Sequence, residues 1–144
     1  MHRSKTIQLL LCVVLMAAAV ACRAKDPNTT AGSAGVRVTD VTLGRSVGGD
    51  KAITDRTDTF KPNDTIYVSV ATDGAAPSAI LRAKWSFEDG QLVNESTRTI
   101  APVNKERTEF HIAKPDGWPA GKYKLEVFLN DQSAETKSFD VRGS

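Results

Sequence analysis

Few residues in this chain have side chains that commonly do covalent or metal chemistry. Its 144 residues include two cysteines, Cys12 and Cys22, and two histidines, His2 and His111. A nucleophile needs a base within hydrogen-bond reach, and a zinc site needs three or four clustered His or Cys ligands. His111 lies between Phe110 and Ile112 beside Glu109, and the alternation around it points it outward as a solvated strand histidine. Gly44-Arg45-Ser46-Val47-Gly48 matches the spacing of G-x-S-x-G, but that motif works on a strand-to-helix turn with a histidine partner, and no H-E-x-x-H pattern occurs. Carboxylates are more numerous: Asp50, Asp55 and Asp58 fall in one polar loop with Asp64 nearby. Oxygen ligands on a loop suit calcium, but the fixed spacing with its central glycine and closing glutamate is missing, and ordinary solvation is the competing reading. Paired acids for glycoside hydrolysis need a cleft, which a small β-sandwich usually lacks. The chain is expected to be no enzyme, with no metal and no diffusible cofactor.

Whether the thiols count depends on the segment that carries them. Met1 to Thr6 holds Arg3 and Lys5, and an apolar stretch from Ile7 to Ala21 follows, broken only by Gln8. Charge followed by an apolar run is the order of an export signal. As a helix, Leu9 to Ala21 would reach only about 20 Å at ~1.5 Å per residue, short of a hydrocarbon core of ~30 Å. Ala17, Ala18, Ala19 and Ala21 are small enough to let the backbone enter a narrow peptidase site.

Ala19-Val20-Ala21-Cys22 resembles the lipobox of bacterial lipoproteins, with Ala19 standing where that pattern most often has leucine. The resemblance implies that the signal, residues 1–21, is cut before Cys22. The Cys22 thiol would then carry a diacylglycerol and, in many bacteria, the new amino terminus a third acyl chain. Two or more chains give stable anchoring, at about 0.8 kcal/mol per buried methylene. Two other readings stand beside it: an ordinary cleavable signal leaving Cys22 a free thiol, and an uncleaved short anchor. A lone free cysteine on an exported chain invites intermolecular pairing. Cys12 and His2 leave with the signal, so the mature chain is expected to hold no disulfide. Arg23 stands where, by analogy with enteric bacteria, an aspartate would favour inner-membrane retention. The resemblance thus favours the bacterial cell envelope, at the periplasmic face of the outer membrane where the host has one.

Removal of the signal also settles the charge. The formal net charge is +2 and the isoelectric point near 8.6. Without Arg3 and Lys5, 17 Lys and Arg face 17 Asp and Glu. That balance removes the electrostatic case for nucleic acid, which requires a clustered positive surface.

Residues 22–35 comprise the cysteine and RAKDPNTTAGSAG, with no bulky apolar residue. Such a stretch cannot bury enough surface to offset its ordering entropy and reads as a flexible linker. Residues 36–142 show a period of two, with turn residues every 8 to 15 positions, which predicts an all-β antiparallel sandwich of seven to eight strands. Val36 to Leu43 changes phase between Val38 and Val41, which predicts a bulge at Thr39 or Asp40. Gly44 to Thr59 reads as an irregular connection with a short strand around Ala52 to Thr54. Clear strands follow over Thr65 to Ala71 and Ala79 to Phe87, then a hairpin turn at Asp89-Gly90. Gln91 to Glu95 and Thr97 to Ala101 read as two weaker edge strands. Thr108 to Ile112, Lys122 to Leu129 and Ala134 to Val141 complete the set, the last two joined at Asn130-Asp131.

This layout resembles the immunoglobulin-like fold. Trp85 sits on the third major strand, where such domains often bury a tryptophan, and Gly121-Lys122-Tyr123 resembles their tyrosine corner. Leu125 and Val68 occupy the places of the paired cysteines of antibody-type domains; fibronectin-type domains also lack that bridge. The whole resembles the many short lipoproteins of this layout that have no assigned activity.

Two surfaces are candidates for a partner. In KPDGWPAG, residues 114–121, Pro115 and Pro119 stiffen a loop that carries Trp118. Trp118 either plugs the open end of the sandwich or, with Pro119, is displayed as an aromatic anchor of the kind enriched in binding hot spots. If the strands of Ala79 to Phe87 and Lys122 to Leu129 are neighbours, Arg82, Lys84, Lys122 and Lys124 share an outer face with Phe128, relieved by Glu126. That face is either merely solvated or a basic patch for anionic lipid or wall polymer. A membrane-anchored, non-catalytic binding or scaffolding module for an envelope protein partner is the expected function. The alternative is a ligand-binding or inhibitory domain acting on an envelope enzyme through the Trp118 loop. Oligomeric state and partner identity have no signature in the sequence.

Overall fold

Among the described residues there are eight strands, most of them laid down by alternating apolar and polar residues: β1 (Val36–Gly44), β2 (Thr59–Phe60), β3 (Ile66–Gly74), β4 (Ala79–Phe87), β5 (Gln91–Ile100), β6 (Glu106–Ile112), β7 (Gly121–Leu129) and β8 (Gln132–Val141). This computed structural model describes residues 35–143. The leader, Cys22 and nearly all of the predicted linker lie outside the described residues. The strands form two sheets, one of three in the order β1-β3-β6 and one of five in the order β2-β8-β7-β4-β5.

The predicted inward sets form the core between these sheets. Ile66, Val68 and Val70 of β3 face Leu81, Ala83 and Trp85 of β4 and Leu125 and Val127 of β7, all fully buried. Leu125 and Val68 therefore fill with hydrocarbon the layer where a bridge would otherwise sit. One end of this core is aromatic: Phe139 stacks on Tyr123 at 5.2 Å and meets the edges of Trp85 at 6.0 Å and Phe60 at 5.6 Å. Edge-to-face and offset arrangements of this kind match positive ring edges to negative faces.

Several predicted local features are observed. The β1–β3 register slips between Val38 and Asp40, which puts the bulge at Thr39. Asn130 and Asp131 both take positive φ, 49° and 64°, as the mirror-image turn of a two-residue hairpin requires. The Tyr123 hydroxyl donates to the Pro119 carbonyl at 2.7 Å, which is the tyrosine corner.

Two expectations are corrected. The two weak edge strands are one ten-residue strand, β5, with an extra residue at Val93 where the β4–β5 register skips. The strand expected around Ala52 to Thr54 is a single bridge, Val47 to Ile53. Ile53 packs over Gly44, where a Cβ would overlap Ile53 Cγ2. Phe60 stands just ahead of the turn closed by the Asp64 N–H on the Lys61 carbonyl, as expected, and with Thr59 it also forms β2, which pairs in parallel with Asp140 and Val141 of β8. That short parallel strand shields only the last part of β8. Upstream, Glu135 and Lys137 are the register partners of inward-facing Val127 and Leu125, and inward charges discourage an edge from pairing with another sheet.

Candidate functional site

The outer face of the five-stranded sheet brings together the residues expected there. Strands β4 and β7 are antiparallel neighbours, with Arg82 opposite Phe128, Lys84 opposite Glu126 and Ser86 opposite Lys124. The Arg82 guanidinium carbon lies 4.2 Å from the centroid of the Phe128 ring, within range of a cation–π contact. Arg82 also reaches Glu95 of β5 at 3.5 Å and Asp131 of the β7–β8 turn at 3.4 Å. Lys84 stands between Glu126 and Glu95 in register. Lys122 pairs in register with Asp140, and Asp58 and Glu88 line the same shallow groove. Acids thus interleave with the basic residues of this face, Arg82 being ion-paired, while Lys124 has Ser86 and Ser138 as its register partners. The acids brought to this face come from β5, β8 and two turns far away in sequence. Phe128, half-buried, offers its ring to Arg82.

Trp118 occupies the end of the sandwich as a plug. Its side chain is 6% exposed. Nε1 donates to the Asp64 carbonyl at 2.9 Å, and its backbone N–H donates to the Pro62 carbonyl at 2.7 Å. Its ring meets the edge of Tyr123 at 6.3 Å. Pro119 and Ala120 remain exposed beside it.

Asp64 anchors this end electrostatically. Burial works against its charge, but the Lys61 backbone N–H at 2.8 Å and Arg45 Nε at 2.9 Å more than offset that cost. They hold its pKa below the usual carboxylate value. The Asp64 hydrogen bond in turn raises the Arg45 pKa. A further Arg45 nitrogen donates to the Thr59 carbonyl at 2.8 Å, and its guanidinium carbon lies 5.9 Å from the Phe60 centroid. This Arg45–Asp64–Trp118 connection has no local sequence signal, because its members are 19 and 54 residues apart. Tyr123 is pushed above its ordinary pKa, first by burial and then by the charge of Glu88.

The other acids of the loop are used singly. Asp50 Oδ1 accepts the Ala52 N–H at 3.1 Å, and Asp55 lies 3.5 Å from Arg45. Asp58 accepts from the Thr59 hydroxyl at 3.3 Å. Among the described residues, no group of three or more His, Cys, Asp or Glu is placed to hold a metal ion. His111 points outward, 2.6 Å from Glu109 and with its ring centroid 5.4 Å from that of Tyr67.

No family model and no curated protein matches this chain. Solved structures do. An immunoglobulin-like protein from Pseudomonas aeruginosa superposes with a TM-score of 0.52 at 18% identity, over 74% of this chain and 96% of that one. The C-terminal domain of wzt superposes with a TM-score of 0.52 at 11% identity, over 78% and 75%. Likeness at these identities shows the fold: this chain carries an immunoglobulin-like β-sandwich.

Proposed function

We propose that this chain is an envelope lipoprotein, held to a membrane through diacylglycerol on Cys22, whose sandwich binds or scaffolds an envelope protein without catalysis. The observation that carries the binding reading is the outer face of the five-stranded sheet, where Arg82 stacked on Phe128 is ringed by paired charges. A flat, charge-paired surface with a packed aromatic and arginine at its centre suits a protein partner better than a small ligand, which needs a concave site. The inhibitory alternative through the Trp118 loop loses its anchor, because that indole is committed to the core. The Cys22 part of the proposal is supported by the sequence order of charge, apolar run, small residues and cysteine.

A photo-crosslinking residue in place of Lys124, in the full chain in living cells, tests the binding reading. A discrete protein adduct is expected, one that weakens when Phe128 is replaced by alanine. Crosslinking to lipid or to nothing at this position contradicts it.

A further inference from the structure

We infer that the end of the sandwich where the chain enters is a bilayer-contacting surface, with Val103 at its tip resting on phospholipid; the inference rests on the lipid-anchored reading above. Chain entry is fixed by packing. Gly35 and Gly74 both take positive φ, 104° and 109°, and a Cβ at Gly74 would overlap the Gly35 carbonyl. Residue 35 is therefore clamped to the end of β3, beside the β3–β4 and β5–β6 loops. Those two loops are tied to each other, the Ala76 N–H donating to the Pro102 carbonyl at 3.0 Å. Pro102 is fully buried, while the next residue, Val103, is 76% exposed. Val103 is more exposed than the two other exposed large apolar residues among those described, Ile80 at 41% and Leu92 at 57%. A rigid loop thus presents an aliphatic side chain to the outside at the end where the linker arrives. Lys105 stands two residues on, exposed, in a groove it shares with Arg107 and with Asp40, Asp50, Asp73 and Glu106, so the apolar side chain rather than net charge carries the contact.

Distances favour this end. Gly35 is the thirteenth residue after Cys22, and flexible chains of that length average on the order of 20 Å from end to end. Strands of nine or ten residues put the Trp118 end about 30 Å farther away. A single valine is too weak to capture a membrane from solution. Tethered, it meets the bilayer at an effective concentration in roughly the millimolar range, so a weak apolar contact is populated.

The test uses the acylated full-length protein in phosphatidylglycerol-containing vesicles. The mature chain holds no thiol besides the acylated one, so Val103→Cys and Asp116→Cys each accept a single bimane label. With nitroxide on the lipid near the headgroup, position 103 is expected to lose about half its emission, as for a probe at the headgroup–acyl boundary. Position 116 is expected to lose almost none. Equal and negligible quenching at both, in protein whose mass shows the acyl chains, overturns the membrane-facing tip and leaves the lipoprotein reading standing. Protein that carries no acyl chains and stays off the vesicles overturns both. Quenching at 103 that persists in Lys105→Glu but falls in labelled protein carrying Pro102→Gly supports the rigid apolar tip as the contact.

Discussion

Trp118 Nε1 donates to the Asp64 carbonyl at 2.9 Å, across 54 residues of sequence, and the Asp64 carboxylate holds Arg45 at 2.9 Å. One end of the sandwich is closed by this connection, which joins the β6–β7 loop to the start of β3 and the long connection after β1. Trp118→Ala is expected to cost about 3–5 kcal/mol, as for other large-to-small changes in a packed core. Trp118→Phe keeps the ring but strands the carbonyl, at about 1 kcal/mol. Denaturant unfolding of the three proteins measures both. An unchanged midpoint for the alanine variant would show that the indole is not structural.

The second tryptophan should behave differently. Trp85 is fully buried, but its Nε1 has no hydrogen-bond partner. Trp85→Ala is expected to lose about 3–5 kcal/mol. Trp85→Phe also removes an unsatisfied buried donor, whose desolvation costs about 1–3 kcal/mol. The phenylalanine variant should therefore recover most of the loss seen with alanine. Thermal melts of the pair check this.

Acid sensitivity should trace to Asp64. Its folded pKa is depressed below the usual carboxylate value, so its stabilising contribution is present above the unfolded pKa and is lost as pH falls through the folded pKa. Asp64→Asn is expected to be less stable than wild type at neutral pH. It should also lose less stability on acidification below about pH 4, because it has no carboxylate to protonate. Equal acid limbs in the two proteins would remove Asp64 from this role.

Arg82 and Phe128 should be coupled. A double-mutant cycle of Arg82→Ala and Phe128→Ala is expected to give about 0.5–1 kcal/mol for a contact that is only partly exposed. Additive losses would show that the stacking carries no energy. Raising salt should weaken the Arg82 contacts with Glu95 and Asp131 more than the stacking, since exposed ion pairs are screened.

The parts of the fold legible in the sequence are those where a local pattern carries the information. Leu81, Ala83 and Trp85 alternate with polar residues on β4 because each strand buries one face, and Asn130-Asp131 marks its turn because both residues tolerate positive φ. What sequence reading missed depends on distant partners. Two residues of β2 are too few to show a period, and their parallel pairing with β8 bridges some 80 positions. The middle of β5 is a polar run from Asn94 to Thr99 with no apolar alternation across Ser96, so one strand reads as two. The face anticipated from Arg82, Lys84, Lys122 and Lys124 is interleaved with Glu95, Asp131 and Asp140, which only the register brings alongside. The Trp118 loop was legible as distinctive, but its inward turn is fixed by Pro62 and Asp64.

The most direct test of the central claim is the intact mass of the native protein extracted from membranes with detergent, followed by fragmentation of its amino-terminal peptide. A chain that begins at Cys22 and carries two or three acyl chains there is expected. A free thiol at Cys22, or a mass that includes residues 1–21, would contradict it.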